Sequence, residues 1–349
     1  MGQAISKLTI KGYKSIRNLE NFELRNLNIL IGPNGAGKSN FLEFFRLLEE
    51  ISKGEESLWH YTSYMGGVDK ILFLGPKITP FAEVVIWTSD ARIGFEISPT
   101  QDSRLEYLQM HVTETTGLEP ARRNTKLDSL LREIYRNHRF YHFHDTSDFA
   151  AVKRACSKRD YEYLRPDASN LAAFLLFLKK RHEKEYQYIR EVIQLAAPFF
   201  DDFLLRDSLD NPDETLLEWR QKGSDYPFHP SQISDGTLRF ICLATALLQP
   251  NPPSTILLDE PELGLHPYAL TLLAGLIQKA SIKTQVIVAT QSASLISQFD
   301  PADIIVVERK NEESVFKRLP LEKLKQWIDD YSLGELWEMN LLEGRPKNE

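Results

Sequence analysis

Cysteine is nearly absent. Two residues, Cys156 and Cys242, in a chain of 349 cannot build a disulfide framework, which predicts a reducing compartment. Neither lies in a Cys-x-x-Cys pair or a cationic setting, so neither reads as a nucleophile. No run approaches the roughly 18 apolar residues of a membrane span, so no membrane partner is expected. The N-terminus lacks a basic stretch followed by an apolar one, and no secretory leader is predicted. Gly2 and Ser6 fit the loose myristoylation pattern, but strand-like alternation begins at Ile5, and chance explains the match. There is no internal repeat, no low-complexity tract and no sustained heptad pattern, which excludes a solenoid and a long coiled-coil arm. Positive charge is in deficit: 42 Lys plus Arg against 49 Asp plus Glu give −7, which argues against coating nucleic acid with the whole surface. A cytoplasmic protein is the expectation.

What is present is a strand–helix alternation. Strands are expected at 5–10, 20–24, 27–31, 71–74, 81–88, 93–97 and 105–112, and a helical region over 117–200 with helices at 127–135 and 170–197. A strand-like aromatic stretch, 140–144, lies between those helices. Strand-like alternation returns at 203–220. A helix at 237–248, a strand at 255–258, a helix at 267–280 and strands at 285–289 and 304–307 follow. Such alternation predicts an α/β fold with a mostly parallel central sheet.

Gly32-Pro33-Asn34-Gly35-Ala36-Gly37-Lys38-Ser39 fits G-x-x-x-x-G-K-[ST] between an apolar strand and an amphipathic helix. Backbone N–H groups there converge on phosphate oxygens, Lys38 reaches the β- and γ-phosphates, and Ser39 ligates Mg²⁺. Asn34, Gly35, Ala36, Gly37, Lys38, Ser39 and Asn40 are therefore candidate ATP contacts. The apolar strand Thr255–Leu258 runs into Asp259-Glu260-Pro261. Two carboxylates at the end of a buried strand are costly unless a cation or water uses them. Asp259 is the second candidate metal ligand, and Glu260 the candidate general base. Ser234-Asp235-Gly236 opens a helix twenty-five residues before Asp259 and could form a second anion site or a plain N-cap.

Taken together with Tyr13-Lys14-Ser15-Ile16, Ser234–Arg239, Asp259–Pro267, Thr290-Gln291-Ser292 and the tail Tyr331–Trp337, these motifs resemble ABC-type ATPases of the SMC and RecF class. The resemblance is closest to compact prokaryotic AAA-type ATPases related to the OLD-family ATPase domain, and it covers nearly the whole chain. It implies a P-loop head with an N-terminal antiparallel layer and a helical lobe. It implies an ATPase lobe from 1–115 and 250–349, with 116–249 as an inserted lobe carrying the signature. It also implies that two protomers sandwich two ATP molecules, Ser234 and Gly236 of one contacting the γ-phosphate held by the other. Gln291 would hydrogen-bond that phosphate or the attacking water, completing a catalytic set with Lys38 and Glu260. His266 and Gln291 depart from transporter ATPases, which usually have Asp and often His there, and this points to slow hydrolysis. The expected output is a separately encoded effector, a nuclease or toxin of a defence or DNA-transaction system, since 349 residues hold the head and little more. The alternative is a DNA clamp, and a transporter ATPase fits least.

Three features stay open on sequence alone. Tyr13 could stack on adenine or sit in the core. His142 and His144 would share one strand face, as a metal pair or as a polar outer surface. Residues 117–165 carry eleven Lys plus Arg against seven Asp plus Glu, including Arg122, Arg123, Lys126, Arg132 and Arg136. That excess could track DNA, face solvent or dock a protein.

Overall fold

In the computed structural model, the apolar run Leu27–Ile31 forms the strand around which one sheet is built. The structure describes residues 4–114, 138–208, 211–319, 324, 327 and 330–342. The expected helix at 127–135 and the basic residues Arg122 to Arg136 lie outside them. The chain divides into two units, Met1–Phe140 with Pro253–Leu257 and Thr284–Glu349, and Tyr141–Pro252 with Leu258–Lys283. The sequence-based division put the breaks at 116 and 250 and left 258–283 with the first unit.

The strands are β1 (Lys7–Tyr13), β2 (Ile16–Glu23), β3 (Leu27–Ile31), β4 (Ala82–Trp87), β5 (Ala91–Pro99), β6 (Leu105–Glu114), β7 (His138–Tyr141), β8 (Cys156–Ser157), β9 (Phe200–Leu204), β10 (Glu214–Thr215), β11 (Glu218–Gln221), β12 (Thr255–Asp259), β13 (Gln285–Thr290), β14 (Ile304–Lys310) and β15 (Glu313–Arg318). In the first unit β2-β1-β4-β5-β6 form a fully antiparallel sheet. The second sheet has the order β15-β14-β3-β13-β12-β7. Its β3 pairs in parallel with β13 and β14, and β15 closes the edge antiparallel to β14. All five residues of β3 and all six of β13 are buried, as strands covered on both faces must be.

Helix α1 (Lys38–Lys53) follows β3 and is joined by α2 (Glu55–Tyr64). The α1 face of Phe41, Leu42, Phe44, Phe45, Leu48 and Ile51 shares one core with residues of both sheets. Tyr13 belongs to that core: it is 0% exposed and meets Phe44 edge-on at 5.4 Å. It is not available to an adenine. Residues 71–74 are not a strand; a short helical turn, Val68–Lys70, precedes them, and Leu72 makes only an isolated bridge to Tyr13.

The second unit carries α3 (Leu171–Arg181), α4 (Glu183–Ala196), α5 (Asp235–Leu248) and α6 (Pro267–Ser281). The single helix expected over 170–197 is broken at His182, whose φ is −137°. Lys179, Lys180 and Arg181 lie at the C-terminus of α3, and Glu183 and Glu185 open α4. Each charge set complements the dipole end it occupies, which favours two helices over one. Antiparallel pairs β9–β11 and β8–β10 complete the unit, with Trp219 stacked on Phe228 at 4.7 Å. Short helices α7 (Ala293–Ile296) and α8 (Leu333–Glu338) belong to the first unit. No described helix is long and apolar enough to cross a membrane.

Candidate functional site

In the first unit, β3 delivers the chain into Gly32, where a Cβ would run into the Val307 carbonyl oxygen. The loop then bends through Gly35 (φ 77°) and Gly37 (φ 110°), conformations that glycine adopts without the penalty of a Cβ. Gly37 is the N-cap of α1 and brings no capping side chain to the first turn of the helix. Lys38, 5% exposed, folds back over the bend and donates to the carbonyls of Gly32 (2.7 Å) and Pro33 (3.2 Å). Its ammonium is thus held inside the curl of the loop.

The loop is tied to residues far away in sequence. Gln291 donates to Asn34 Oδ1 at 2.6 Å, which brings two of the predicted contacts together. Asn40 donates to Ser15 Oγ at 2.7 Å. Arg309 reaches the Gly35 carbonyl at 3.4 Å, and Ser314 reaches that of Ala36 at 2.6 Å. Lys14 pairs with Glu43. Neither Arg309 nor Ser314 was legible in the sequence, because nothing local to the loop points to the β14–β15 hairpin. Converging helix N–H groups, a buried ammonium and the exposed hydroxyl of Ser39 suit a polyphosphate and its divalent cation.

In the second unit, β12 ends at Asp259 and the chain turns at Glu260, whose φ is 44°. A left-handed conformation costs a non-glycine residue roughly 1–2 kcal/mol, so the surroundings must impose it. His144 Nε2 lies 3.1 Å from the Asp259 carbonyl oxygen. His144, Asp259, Glu260 and Arg239 line a cavity of about 10 Å³, room for about one water. The rings of His142 and His144 lie 4.2 Å apart at a tilt of 56°, but β7 stops at Tyr141 and they do not share a strand face. Among the described residues no group of three His, Cys, Asp or Glu side chains is placed to hold a metal. Burial pushes the Cys242 thiol up to about 12, in keeping with an inert residue.

Ser234 caps α5, accepting from Thr237 N–H at 3.3 Å, and is exposed. A Cβ on Gly236 would collide with the Gly264 carbonyl oxygen, so the first turn of α5 packs directly on the segment after Glu260. Arg239, one turn along α5, fixes that contact with a three-carbonyl grip. It donates to Phe143 O (3.0 Å), His144 O (3.2 Å) and Leu263 O. Burial lowers its pKa, and Asp235 acts the other way. His266 caps α6 through Nδ1, accepting from Tyr268 N–H. Arg239 and His144 both stood in stretches that the sequence singled out, but their grip on backbone carbonyls has no sequence signal.

The family model described as "AAA domain, putative AbiEii toxin, Type IV TA system" matches residues 27–297. No curated protein is a significant match. Among solved structures, the SMC head bound to the C-winged helix domain of ScpA shares 20% identity at a TM-score of 0.63, over 92% of this chain and 99% of that one. The SMC head with an extended coiled coil bound to the C-terminal domain of ScpA, from Pyrococcus furiosus, gives 18% and 0.61 over 94% and 99%. A third head, with a coiled coil and joint, from Pyrococcus yayanosii, gives 14% and 0.56 over 94% and 99%. The fold is that of these SMC heads, mixed α/β with a largely parallel central sheet.

Proposed function

The chain belongs to the AAA family whose model spans residues 27–297, and from that premise we propose that it binds and hydrolyses ATP with Mg²⁺ and uses the cycle to open and close a homodimer. The observation that carries the reading is the loop Gly32–Ser39, with Lys38 folded inside it and the N-terminus of α1 beside it. In this reading the loop and Lys38 hold the phosphates, and Ser39 and Asp259 hold the cation. The cation neutralises phosphate charge. Glu260 orients the water and takes its proton, and Gln291 hydrogen-bonds the γ-phosphate or that water. The strained φ of Glu260 is of the kind found where a side chain must be aimed.

Ser234 and Gly236, at an exposed helix N-terminus, meet the γ-phosphate held by a second copy. Each bound ATP then bridges two protomers, so nucleotide affinity becomes association energy. The output is a separately encoded partner protein, an effector of a defence or DNA-transaction system. The SMC head solved with a domain of ScpA supports that use of the fold. Direct DNA binding is the alternative output.

Glu260→Gln keeps the phosphate site and removes the base, so it should accumulate an ATP-bound dimer. Light scattering after gel filtration with ATP and Mg²⁺ should show twice the monomer mass and, with wild type, a return to monomer as phosphate is released. Only monomer with ATP present would overturn the sandwich. A duplex-dependent, salt-sensitive rise in wild-type turnover would favour DNA over a protein partner.

A further inference from the structure

The tip of the β14–β15 hairpin touches the phosphate loop at two successive carbonyls. Arg309 reaches Gly35, and Ser314 reaches Ala36. The hairpin turns through Asn311 (φ 49°) and Glu312 (φ 67°), between the paired Lys310 and Glu313. Two positive φ values in a two-residue loop match the right-handed twist of the flanking strands, so the tip is a tight, fixed turn. Ser314 lies one residue beyond it, 3% exposed, and its backbone N–H donates to the Ser15 carbonyl at 2.7 Å.

Its hydroxyl sits 2.7 Å from Ser15 Oγ and 2.6 Å from Ala36 O, and Asn40 Nδ2 sits 2.7 Å from Ser15 Oγ. The ends of this row fix its direction. An amide NH₂ only donates and a carbonyl only accepts. The protons therefore run Asn40 NH₂ to Ser15 OH to Ser314 OH to Ala36 C=O. Every hydroxyl in the row donates once and accepts once, and such a chain strengthens each of its members. Its links join helix α1, the β1–β2 turn, β15 and the loop.

The peptide between Ala36 and Gly37 is planar and trans, so its C=O and N–H point in opposite directions. Holding the Ala36 carbonyl on Ser314 turns the Gly37 N–H away from the hydroxyls. The space a Gly37 side chain would need is filled by the same two serines. A Cβ there would overlap the Ser314 hydroxyl and lie 2.8 Å from Ser15 Oγ. The glycine of the loop and the serine of the hairpin are thus two halves of one fit.

We propose that Ser314, backed by Ser15 and acting through the Ala36 carbonyl, is a positioning residue that sets the Gly37 N–H of the phosphate loop for a nucleotide phosphate. This deepens the ATPase reading and rests on it for its functional consequence.

The test uses the full chain with Ser314→Ala, Ser15→Ala and the double variant. Removing either hydroxyl breaks the row and leaves a buried carbonyl or hydroxyl without its partner. KM for ATP should rise about tenfold with each single variant, more than kcat falls. The double variant should lose no more than the worse single one, since one break already severs the chain. Amide hydrogen exchange over residues 33–38 of the nucleotide-free chain should speed up in all three, while exchange in α3 and α4 stays at the wild-type rate. Wild-type KM and wild-type exchange in a folded Ser314→Ala variant would overturn the proposal, as would additive losses in the double variant. If Ser314→Ala fails to fold, Ser15→Ala decides by the same two readouts. If wild type itself neither binds nor hydrolyses ATP, the ATPase reading fails, and exchange at 33–38 still tells whether the hydroxyl row holds the loop.

Discussion

Gly37→Ala perturbs the phosphate loop at the position where its geometry is most constrained. The new Cβ would meet the Ser314 hydroxyl, Ser15 Oγ at 2.8 Å and Ser314 Cβ at 2.9 Å. The neighbours cannot yield freely, because both hydroxyls are tied in the row that ends at the Ala36 carbonyl. Overpacking of this kind costs about 1–3 kcal/mol. The φ of 110° adds a penalty of roughly 1–2 kcal/mol for any side chain. The sum is about 2–5 kcal/mol, a large part of the 5–15 kcal/mol that stabilises a typical domain. Urea unfolding followed by circular dichroism should show a midpoint lowered by that free energy divided by the slope, with the slope unchanged. Where the variant stays folded, ATP affinity should fall as well. A midpoint and an affinity both equal to wild type would refute the claim that the hydroxyl row and the glycine are fitted to each other.

Gly236→Ala places a Cβ on the Gly264 carbonyl oxygen and should displace the first turn of α5. In the Glu260→Gln background it should abolish the ATP-dependent dimer seen by light scattering, while ATP affinity measured at protein concentrations too low for the parent to dimerise stays within about twofold of the parent. His138 should make stability depend on pH. Burial, helped by Arg139, lowers its pKa from 6.5 to about 3. As pH falls below 6.5 the unfolded chain takes up this proton first. The contribution present above 6.5 is therefore lost between pH 6.5 and 3, at up to about 1.4 kcal/mol per pH unit. Denaturant midpoints across that range should fall less steeply in His138→Phe than in wild type; equal slopes would contradict the assignment.

The loop was more legible in the sequence than the scaffold around it. The loop at Gly32–Ser39 was legible because its residues are consecutive and its flanking strand and helix have clear periods. β3 was read to the residue, since a run of five buried positions has no competing reading. The break at His182 was missed because apolar spacing continues across it and only the charges at 179–185 mark two dipole ends. The strand expected at 71–74 failed for a similar reason: Ile71, Leu72 and Phe73 are buried, but as a turn against Tyr13, and Leu74 is exposed. Arg309 and Ser314 lie about 275 residues from the loop they grip, beyond any local pattern. The same holds for the carbonyl contacts of Arg239, which depend on where three separate segments pass.

The central claim is that Gly32–Ser39 is a working nucleotide site built around Lys38. Isothermal titration of the wild-type chain with ATP and Mg²⁺ should give saturable binding. Lys38→Ala, which removes the ammonium held within the loop, should give none at the same concentrations while its circular dichroism stays that of wild type. Equal ATP affinity in wild type and a folded Lys38→Ala variant would contradict the account.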